Sequence, residues 1–243
     1  MNPHEVQIHC CAVLVSVSVS GIGGSVPSVE EIGRDDLSRS GEHYNPGPAT
    51  TPRQAASVIL LRGSDAALEV LLVKRNPAAR FMGGAWVFPG GAVDAGDQDD
   101  DAPHRAAAVR ELREEAAVDG VDPGALVPFS RWITPAEVKT RFDTRFFLTN
   151  VPGDAEPRPD GSETVDARWF SPQGALDAHG RGEILLVFPT IKHLEQLGGF
   201  PTADELLAYA RGREVVPVQP RVVVSGETAR ILLPGDPGYD EAP

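Results

Sequence analysis

The sequence predicts an α+β fold in which a mixed β-sheet is flanked by helices. Short runs of apolar and β-branched residues recur along the chain and are separated by Gly, Pro or Asp, as expected for strands joined by turns. One segment, from Pro103 to about Ala117, has apolar residues three and four positions apart, which indicates a helix. Strands and helices do not alternate regularly, and this argues against a βαβ architecture.

Early strands are predicted at Ala56–Leu61, Leu68–Val73 and Trp86–Phe88, the first two as a hairpin. Asp101 is a suitable N-cap for the long helix, and Pro103 suits its first turn. Later strands are predicted at Leu126–Ile133, Phe142–Asn150 and Arg168–Phe170, and later helices near Pro172–Ala178, Phe188–Leu197 and Thr202–Ala210. The last element is a predicted hairpin of Arg221–Val224 and Ala229–Leu233.

Composition divides the chain into three parts. Gly21 to Thr51 is rich in Gly, Ser, Pro and charged residues, so residues 1–52 are predicted to form a disordered or mobile N-terminal arm. Within it, Ile8 to Val19 is apolar but broken by serines and preceded by no Lys or Arg, which makes a poor signal peptide. Residues 53–213 are predicted to form the folded domain, and residues 214–243 a C-terminal extension.

The chain is acidic, with a net charge of −13 from 22 Lys and Arg against 35 Asp and Glu. Such a surface repels a phosphate backbone, so we expect no nucleic-acid partner, although a bound divalent cation would allow a small anionic substrate. No apolar run reaches the roughly 18 residues of a membrane span, so we expect no membrane partner. The adjacent Cys10 and Cys11 argue against a disulfide framework, which predicts a reducing, cytoplasmic location.

Three carboxylates share one face of the predicted long helix. At about 100° per residue, Glu111, Glu114 and Glu115 fall within about 100° of each other, while Leu112 and Ala116 lie on another face. Like charges this close repel, and a hard divalent cation such as Mg²⁺ or Mn²⁺ would reverse that repulsion. The alternative is a solvated face whose counterions are arginines of the same helix, Arg110 and Arg113.

This helix follows a glycine turn, Pro89-Gly90-Gly91, and together the two segments resemble the Nudix box. That box reads Gly, five residues, Glu, seven residues, then Arg-Glu-apolar-any-Glu-Glu-any-Gly-apolar. The positions that match it are Gly91, Arg110, Glu111, Leu112, Glu114, Glu115 and Val118. The resemblance implies an α/β/α sandwich with Mg²⁺ or Mn²⁺ held by Glu111, Glu114 and Glu115, and with Arg110 orienting that cluster.

Three positions depart from the box. Asp97 stands where the family has Glu, so the metal contact expected of it has a shorter reach. Residues 98–109 number twelve where the family has seven. Ala117 replaces the glycine that follows the helix, so the helix is expected to run on to Asp119-Gly120.

A second segment, Leu71 to Gly91, resembles the coenzyme A branch of the family. Its spacing matches Leu-Leu-Thr-any-Arg-Ser/Ala, three residues, Arg, three residues, Gly, three residues, Phe-Pro-Gly-Gly, with Val73 and Asn76 as departures. Arg75 and Arg80 are expected to bind substrate phosphates beside the turn formed by Gly90 and Gly91, because forked guanidinium groups suit phosphate. The alternative is that both arginines pair with surface acids.

Two further residues are candidates for the site. Phe142 to Phe147 also looks like the coenzyme A and acyl-coenzyme A diphosphatases, and Arg145 is a hypothetical substrate contact there, although packing explains the aromatic residues equally well. Several Nudix enzymes take their catalytic base from a loop outside the box. Glu163, in the loop before the strand at Arg168–Phe170, is the candidate base, and a solvated loop charge is the alternative.

The resemblance therefore implies a Mg²⁺- or Mn²⁺-dependent Nudix diphosphatase. The expected reaction is hydrolysis of coenzyme A or acyl-coenzyme A to 3′,5′-ADP and (acyl-)4′-phosphopantetheine. One alternative is a pyrophosphatase for ADP-ribose, NADH or oxidised nucleotides. Another, of a different class, is a catalytically silent Nudix-fold binding or regulatory module. The expected partner is a small nucleoside-diphosphate substrate, and pairing into a homodimer is compatible with the resemblance.

Overall fold

The computed structural model describes residues 30–32, 45, 47–63, 67–99, 102–153, 155–225 and 228–242. Its strands are β1 (Glu30–Ile32), β2 (Arg53–Arg62), β3 (Glu69–Arg75), β4 (Ala85–Val87), β5 (Gly90–Ala92), β6 (Val127–Ile133), β7 (Phe142–Asn150), β8 (Thr164–Phe170), β9 (Leu185–Leu186), β10 (Pro217–Val218), β11 (Arg221–Ser225) and β12 (Thr228–Leu232). Its helices are α1 (Pro103–Ala116), α2 (Pro172–Gly180), α3 (Phe188–Leu197) and α4 (Ala203–Arg211). The run Ile8 to Val19 and both cysteines lie outside these residues.

The main sheet is mixed, which confirms the predicted fold class. Its strand order is β10-β6-β7-β2-β3-β4-β9, with β5 also paired to β2 and β8 to β3. Strand β2 runs parallel to β7 along its length, whereas β3 pairs with β4 and β8 in antiparallel fashion. In the part of the chain that the structure describes, no helix is long and apolar enough to cross a bilayer.

Alternating side chains of β2 serve two cores, one on each face of the sheet. Ala56, Val58 and Leu60 pack with α1, because successive side chains of a strand point to opposite faces. Ile59 and Leu61 pack in a second core with residues of α2, α3 and α4. The result is the α/β/α sandwich that the resemblance implied.

The sheet splits between β2 and β3. These strands pair only at Leu61–Val70 and Arg62–Glu69. Toward the start of β2, its partner is β5 instead of β3, while the later part of β3 pairs with β4 and β8. Phe88 and Pro89 connect β4 to β5 across the gap. The divergence opens a cleft in the sheet, and the glycine turn lies at its edge.

The predicted terminal hairpin is present as β11 and β12. It carries a third strand that composition did not indicate, since β1 pairs antiparallel with β12. Strand β10 joins the extension to the main sheet by parallel pairing with β6. The remaining boundaries of the arm and the extension stay predictions.

Both ends of α1 differ from expectation. Its N-cap is Ala102, which offers no side-chain cap, rather than Asp101. The expected extension to Asp119-Gly120 is wrong, because α1 ends at Ala116 and Ala117 adopts a left-handed conformation with φ 53°. The Ala117 N–H donates to the carbonyl of Arg113, so this alanine terminates the helix in the conformation that glycine usually supplies.

Candidate functional site

The glycine turn allows α1 to approach the backbone closely. A Cβ atom on Gly90 would lie 2.5 Å from the Ala56 carbonyl oxygen, and one on Gly91 would lie 2.3 Å from Oε1 of Glu111. Both distances are shorter than any normal contact. At Gly90 the obstacle is backbone, so only glycine fits there, whereas a side chain at position 91 would displace the Glu111 carboxylate. The Gly90 N–H donates to Oε2 of Glu115 at 3.0 Å. The turn therefore holds the Glu115 carboxylate by a hydrogen bond and allows the Glu111 carboxylate to lie close to β5.

Glu115 is a buried carboxyl group, with 3% of the residue exposed. Burial raises the pKa of Glu115 to about 7, although the Gly90 N–H and the Arg75 guanidinium oppose that rise. Nη1 of Arg75 lies 3.7 Å from Oε1 of Glu115. Burial also raises the pKa of Glu111, against the effect of Arg110. Both carboxylates therefore lie where additional positive charge would be stabilising.

Arg110 connects the remaining acidic residues of the box. Its guanidinium donates to Asp97 at 2.9 and 3.2 Å, to Glu111 at 2.8 Å and to Glu114 at 3.0 Å. These hydrogen bonds, led by those to Asp97, raise the pKa of Arg110. Asp97 is buried, also accepts the Asp94 N–H, and has its pKa lowered chiefly by Arg110. Asp97 thus anchors Arg110, and its direct contact with metal stays a prediction.

The donor set suits a hard divalent cation. Glu111 and Glu115 supply carboxylate oxygens, which Mg²⁺ and Mn²⁺ prefer, and burial, which raises the pKa of Glu115, disfavours its charged form unless positive charge is added. Glu114 is more exposed and pairs with Arg110. Among the described residues, no three Asp, Glu, His or Cys side chains already converge as a cage. The residues present therefore fit a cation that would draw the carboxylates together.

A cleft of about 350 Å³ lies beside these carboxylates. Its charged lining residues are Arg53, Arg75, Glu111, Glu115 and Glu163. The charge of Glu163 contributes to the raised pKa values of Glu111 and Glu115, as expected for a carboxylate near them. The volume is in the range of small-molecule sites. The structure thus brings together acidic residues from α1 and from the loop before β8.

Other predicted residues lie elsewhere. Phe142, Thr144 and Phe146 line the cleft, as the alternation of β7 predicted. Arg145 lies on the opposite face of β7, next to the buried Asp143, and is not among the lining residues. Arg80 is exposed and does not line the cleft either. A substrate contact for these two arginines therefore has no support from their positions.

Sequence reasoning missed two parts of the site. One is the apolar wall of the cleft, which includes Trp132 and Phe188. In a sequence, such residues cannot be distinguished from those of a hydrophobic core. The other is the set of hydrogen bonds around Asp160, which holds the loop carrying Glu163. The sequence Asp160-Gly-Ser162 is a turn signal that could have indicated the second.

Comparison with known proteins identifies the family of this chain. The sequence model of the NUDIX domain matches residues 51–188. The acyl-coenzyme A diphosphatase NUDT19 of Homo sapiens is 26% identical, over 81% of this chain and 82% of that protein. NUDT19 of Xenopus laevis is 29% identical over 49% of this chain and 33% of that protein. A NUDIX hydrolase structure from Alicyclobacillus acidocaldarius superposes with a TM-score of 0.59 at 29% identity, covering 65% of this chain and 96% of that one. The chain therefore belongs to the Nudix hydrolase family.

Proposed function

We propose that this chain hydrolyses the phosphoanhydride bond of coenzyme A or acyl-coenzyme A. The observation that carries the proposal is the position of Arg75, which lines the cleft with its guanidinium 3.7 Å from Oε1 of Glu115. Arg75 belongs to the segment that resembles the coenzyme A branch of the family. The names of the NUDT19 relatives support the same substrate class.

In the proposed reaction, a water oxygen attacks one phosphorus atom and the anhydride P–O bond breaks. The products are 3′,5′-ADP and (acyl-)4′-phosphopantetheine. Glu163 accepts the proton of the water, and Arg75 binds a substrate phosphate. Glu111, Glu114 and Glu115 would hold Mg²⁺ or Mn²⁺, which supplies charge neutralisation and a more acidic water. Arg110, anchored by Asp97, keeps Glu111 and Glu114 in place.

A substrate panel tests the proposal. Turnover of free coenzyme A, acyl-coenzyme A, ADP-ribose and NADH is measured with Mg²⁺, with Mn²⁺ and with a chelator. We expect coenzyme A compounds to have the highest kcat/KM, and the chelator to abolish turnover. Preference for ADP-ribose or NADH would contradict the substrate assignment, and no turnover of any diphosphate would favour the silent binding module.

A matched pair of variants tests Arg75. Arg75→Ala removes a charge-assisted contact of about 1.5–3 kcal/mol, so kcat/KM on coenzyme A should fall about ten- to a hundredfold. Arg80→Ala removes the same charge five residues further on, in the loop after β3 and outside the cleft. It should change kcat/KM by about twofold at most, the range of about ±0.5 kcal/mol for surface substitutions. Equal losses in both variants would show that position in the cleft does not decide the effect.

A further inference from the structure

We propose that Asn76 and Asp160 are positioning residues, which hold Glu163 in the orientation in which it accepts a proton from the attacking water. The inference rests on the proposed function, in which Glu163 is the base, and extends it to two residues that do not line the cleft. Glu163 is exposed and lies in the loop immediately before β8, so core packing does not fix its orientation. Hydrogen bonds to its main chain have to supply that orientation instead.

The carboxylate of Asp160 organises the backbone of this loop. It accepts the N–H groups of Ser162, Glu163 and Thr164 at 3.1, 3.0 and 2.7 Å, and the hydroxyl groups of Ser162 and Thr164. Gly161 lies within the turn with a φ of 82°, which glycine adopts without strain, and its N–H donates to the Thr164 carbonyl at 2.8 Å. Three successive backbone donors therefore converge on one side chain, and this fixes the main chain at Glu163.

The negative charge of Asp160 strengthens these bonds. Desolvation raises the pKa of Asp160, but the hydrogen bonds from Ser162, Glu163 and Thr164 outweigh it and lower the pKa below its usual value. Hydrogen bonds to an ionised acceptor are about twice as strong as those between neutral groups. An asparagine at this position would lose the charge and would present an amide N–H₂ group to backbone donors. Its effect on the loop should therefore exceed that of one lost hydrogen bond.

The loop is also fastened to the end of α1. The buried Thr164 hydroxyl donates to the Glu115 carbonyl at 2.7 Å, and the Arg158 N–H donates to the Ala116 carbonyl at 2.8 Å. Both carbonyl groups belong to the last turn of α1, where the usual partner four residues further on is missing. The loop thus completes the hydrogen bonding at this helix end, and Glu163 lines the same cleft as Glu115.

Asn76 holds the loop from the side of β3. Its backbone N–H donates to the Glu163 carbonyl at 2.7 Å, and its side-chain amide donates to the Ser162 carbonyl at 2.8 Å. Oδ1 of the same side chain accepts the Ala78 N–H at 2.9 Å, which closes a local turn. Asn76 stands where the coenzyme A segment has Ser or Ala, neither of which carries an amide. The departure from that motif therefore adds a tether to the loop.

Consecutive residues at the end of β3 reach two parts of the proposed site. Arg75 pairs with Thr164 in the sheet, and its guanidinium lies 3.7 Å from Oε1 of Glu115. The next residue, Asn76, binds the loop of Glu163. Loss of the Asn76 side-chain tether leaves Arg75 in its strand, so substrate binding should be retained while proton transfer is impaired. This predicts a change in kcat without a matching change in KM.

The first test measures kcat and KM of Asn76 variants on the best substrate of the panel, with the metal-loaded full chain. Asn76→Ser keeps a hydroxyl acceptor for the Ala78 N–H but lacks the amide donor, so it isolates the tether to the loop. We expect kcat to fall about five- to tenfold, the factor for about one hydrogen bond, and KM to change by about twofold at most. A normal kcat in Asn76→Ser would overturn the role of Asn76 and leave the proposed function intact.

Asn45→Ser is the matched control. The Asn45 side chain makes the same pair of bonds, since it accepts the Gly47 N–H at 3.2 Å and donates to the Pro48 carbonyl at 2.8 Å. These partners belong to its own loop, and none of the three residues lines the cleft. We expect kcat to be unchanged. A loss equal to that in Asn76→Ser would show that the effect does not depend on the loop of Glu163, and would overturn the inference.

A double-mutant cycle tests whether both residues act through Glu163. Asp160→Asn should lower kcat about ten- to a hundredfold, because several charge-assisted bonds are weakened together, but by less than Glu163→Gln does. In the Glu163→Gln background, neither Asn76→Ser nor Asp160→Asn should lower kcat further. Effects that multiply would overturn the inference. A normal kcat in Glu163→Gln would overturn it as well and would remove Glu163 from the proposed reaction, whereas a wild type that hydrolyses no diphosphate would overturn the proposed function itself.

Amide hydrogen exchange of the metal-free chain gives a readout that needs no turnover. In Asp160→Asn, exchange at the Glu163 and Thr164 amides should accelerate at least about tenfold, because their shared acceptor is weakened. Asp122→Asn is the control, since Asp122 accepts the Gly124 N–H at 2.8 Å and does not line the cleft. It should leave exchange at Glu163 unchanged. Unchanged exchange at Glu163 in Asp160→Asn would overturn the positioning role of Asp160.

Discussion

Glu115 and His193 are two buried ionisable side chains on opposite faces of the sheet, and they differ in how far their neighbours compensate their polar groups. Glu115 is 3% exposed and His193 is 1% exposed. The two ring nitrogens of His193 are both bonded, to the Ser130 hydroxyl and the Pro189 carbonyl, each at 2.6 Å. Glu115 instead faces a cleft, and its negative charge is only partly compensated. A buried group whose partners match it stabilises the fold, whereas a buried carboxylate whose charge is only partly compensated at a cleft indicates a cationic ligand.

The direction of the two pKa shifts makes the same point. Burial lowers the pKa of His193 to about 4, which keeps the imidazole neutral among the rings of Phe88, Phe129, Trp132 and Phe146. Burial raises the pKa of Glu115 to about 7, so its charged form is unfavourable until a cation arrives. His193 can therefore pack in the core as a neutral ring near pH 7. Glu115, in contrast, must be charged to bind a cation.

The largest expected effect comes from Glu115→Gln, which keeps the size of the side chain and removes its charge. Turnover with saturating Mg²⁺ should fall at least about a hundredfold, because metal-based charge stabilisation amounts to several kcal/mol. At pH 8 and with a chelator, the variant should be more stable than the wild type by up to about 3 kcal/mol, since a pKa raised from 4.5 to about 7 makes the charged state costly. Urea unfolding of the metal-free forms measures the second effect.

Glu69→Gln is the control for this comparison, because Glu69 is partly exposed and pairs with Arg62, and neither residue lines the cleft. Glu69→Gln should leave turnover unchanged and should change the free energy of unfolding by no more than about 1 kcal/mol. Normal turnover in Glu115→Gln would remove Glu115 from the metal site. Lower stability of that variant at pH 8 would show that its charge is already compensated in the metal-free protein.

The next expected effect concerns stability alone and comes from His193 as the pH falls. The unfolded chain binds a proton at this histidine near pH 6.5, whereas the folded chain does so only near pH 4. Between these values the unfolded state binds more protons, so the free energy of unfolding decreases with falling pH and levels off below about pH 4. The shift corresponds to about 3 kcal/mol.

His193→Gln isolates this contribution from those of the other titrating groups. Denaturant unfolding of both proteins is compared from pH 7 to pH 4 in chelator, and the wild type should lose about 3 kcal/mol more than the variant. Parallel pH curves would mean that His193 takes up its proton in the folded state as readily as in the unfolded one.

The smallest expected effect concerns Ala117, two residues after Glu115. A left-handed conformation costs an alanine about 1–2 kcal/mol relative to glycine, part of which is offset by the greater entropy of unfolded glycine. Ala117→Gly should therefore raise the free energy of unfolding by up to about 1 kcal/mol, or about 2–4 °C in Tm. Ala106→Gly, in the interior of α1, should lower it by a similar amount. A loss of stability in Ala117→Gly would show that the methyl group packs favourably.

Local patterns predicted the elements of this molecule better than the contacts between them. The acidic face of α1 and the alternation of β7 follow from helical and strand periods, and the structure shows both. The position of Arg145 away from the cleft depends on which face of β7 meets α1, and that is decided by pairing with distant strands. The end of α1 differs from the prediction because alanine favours a helix in a sequence, whereas Ala117 adopts a left-handed conformation in the structure.

The pairing of β1 with β12 has a consequence for the order of folding. Glu30 pairs with Ile231, so about 200 residues separate the two partners in sequence. Closing so long a loop delays a contact relative to local hairpins such as β11–β12. During synthesis on the ribosome, β1 emerges early and has no partner until residues 229–231 have been made. Its edge is therefore exposed to other chains for most of translation, whereas β12 can pair with β11 as soon as it emerges.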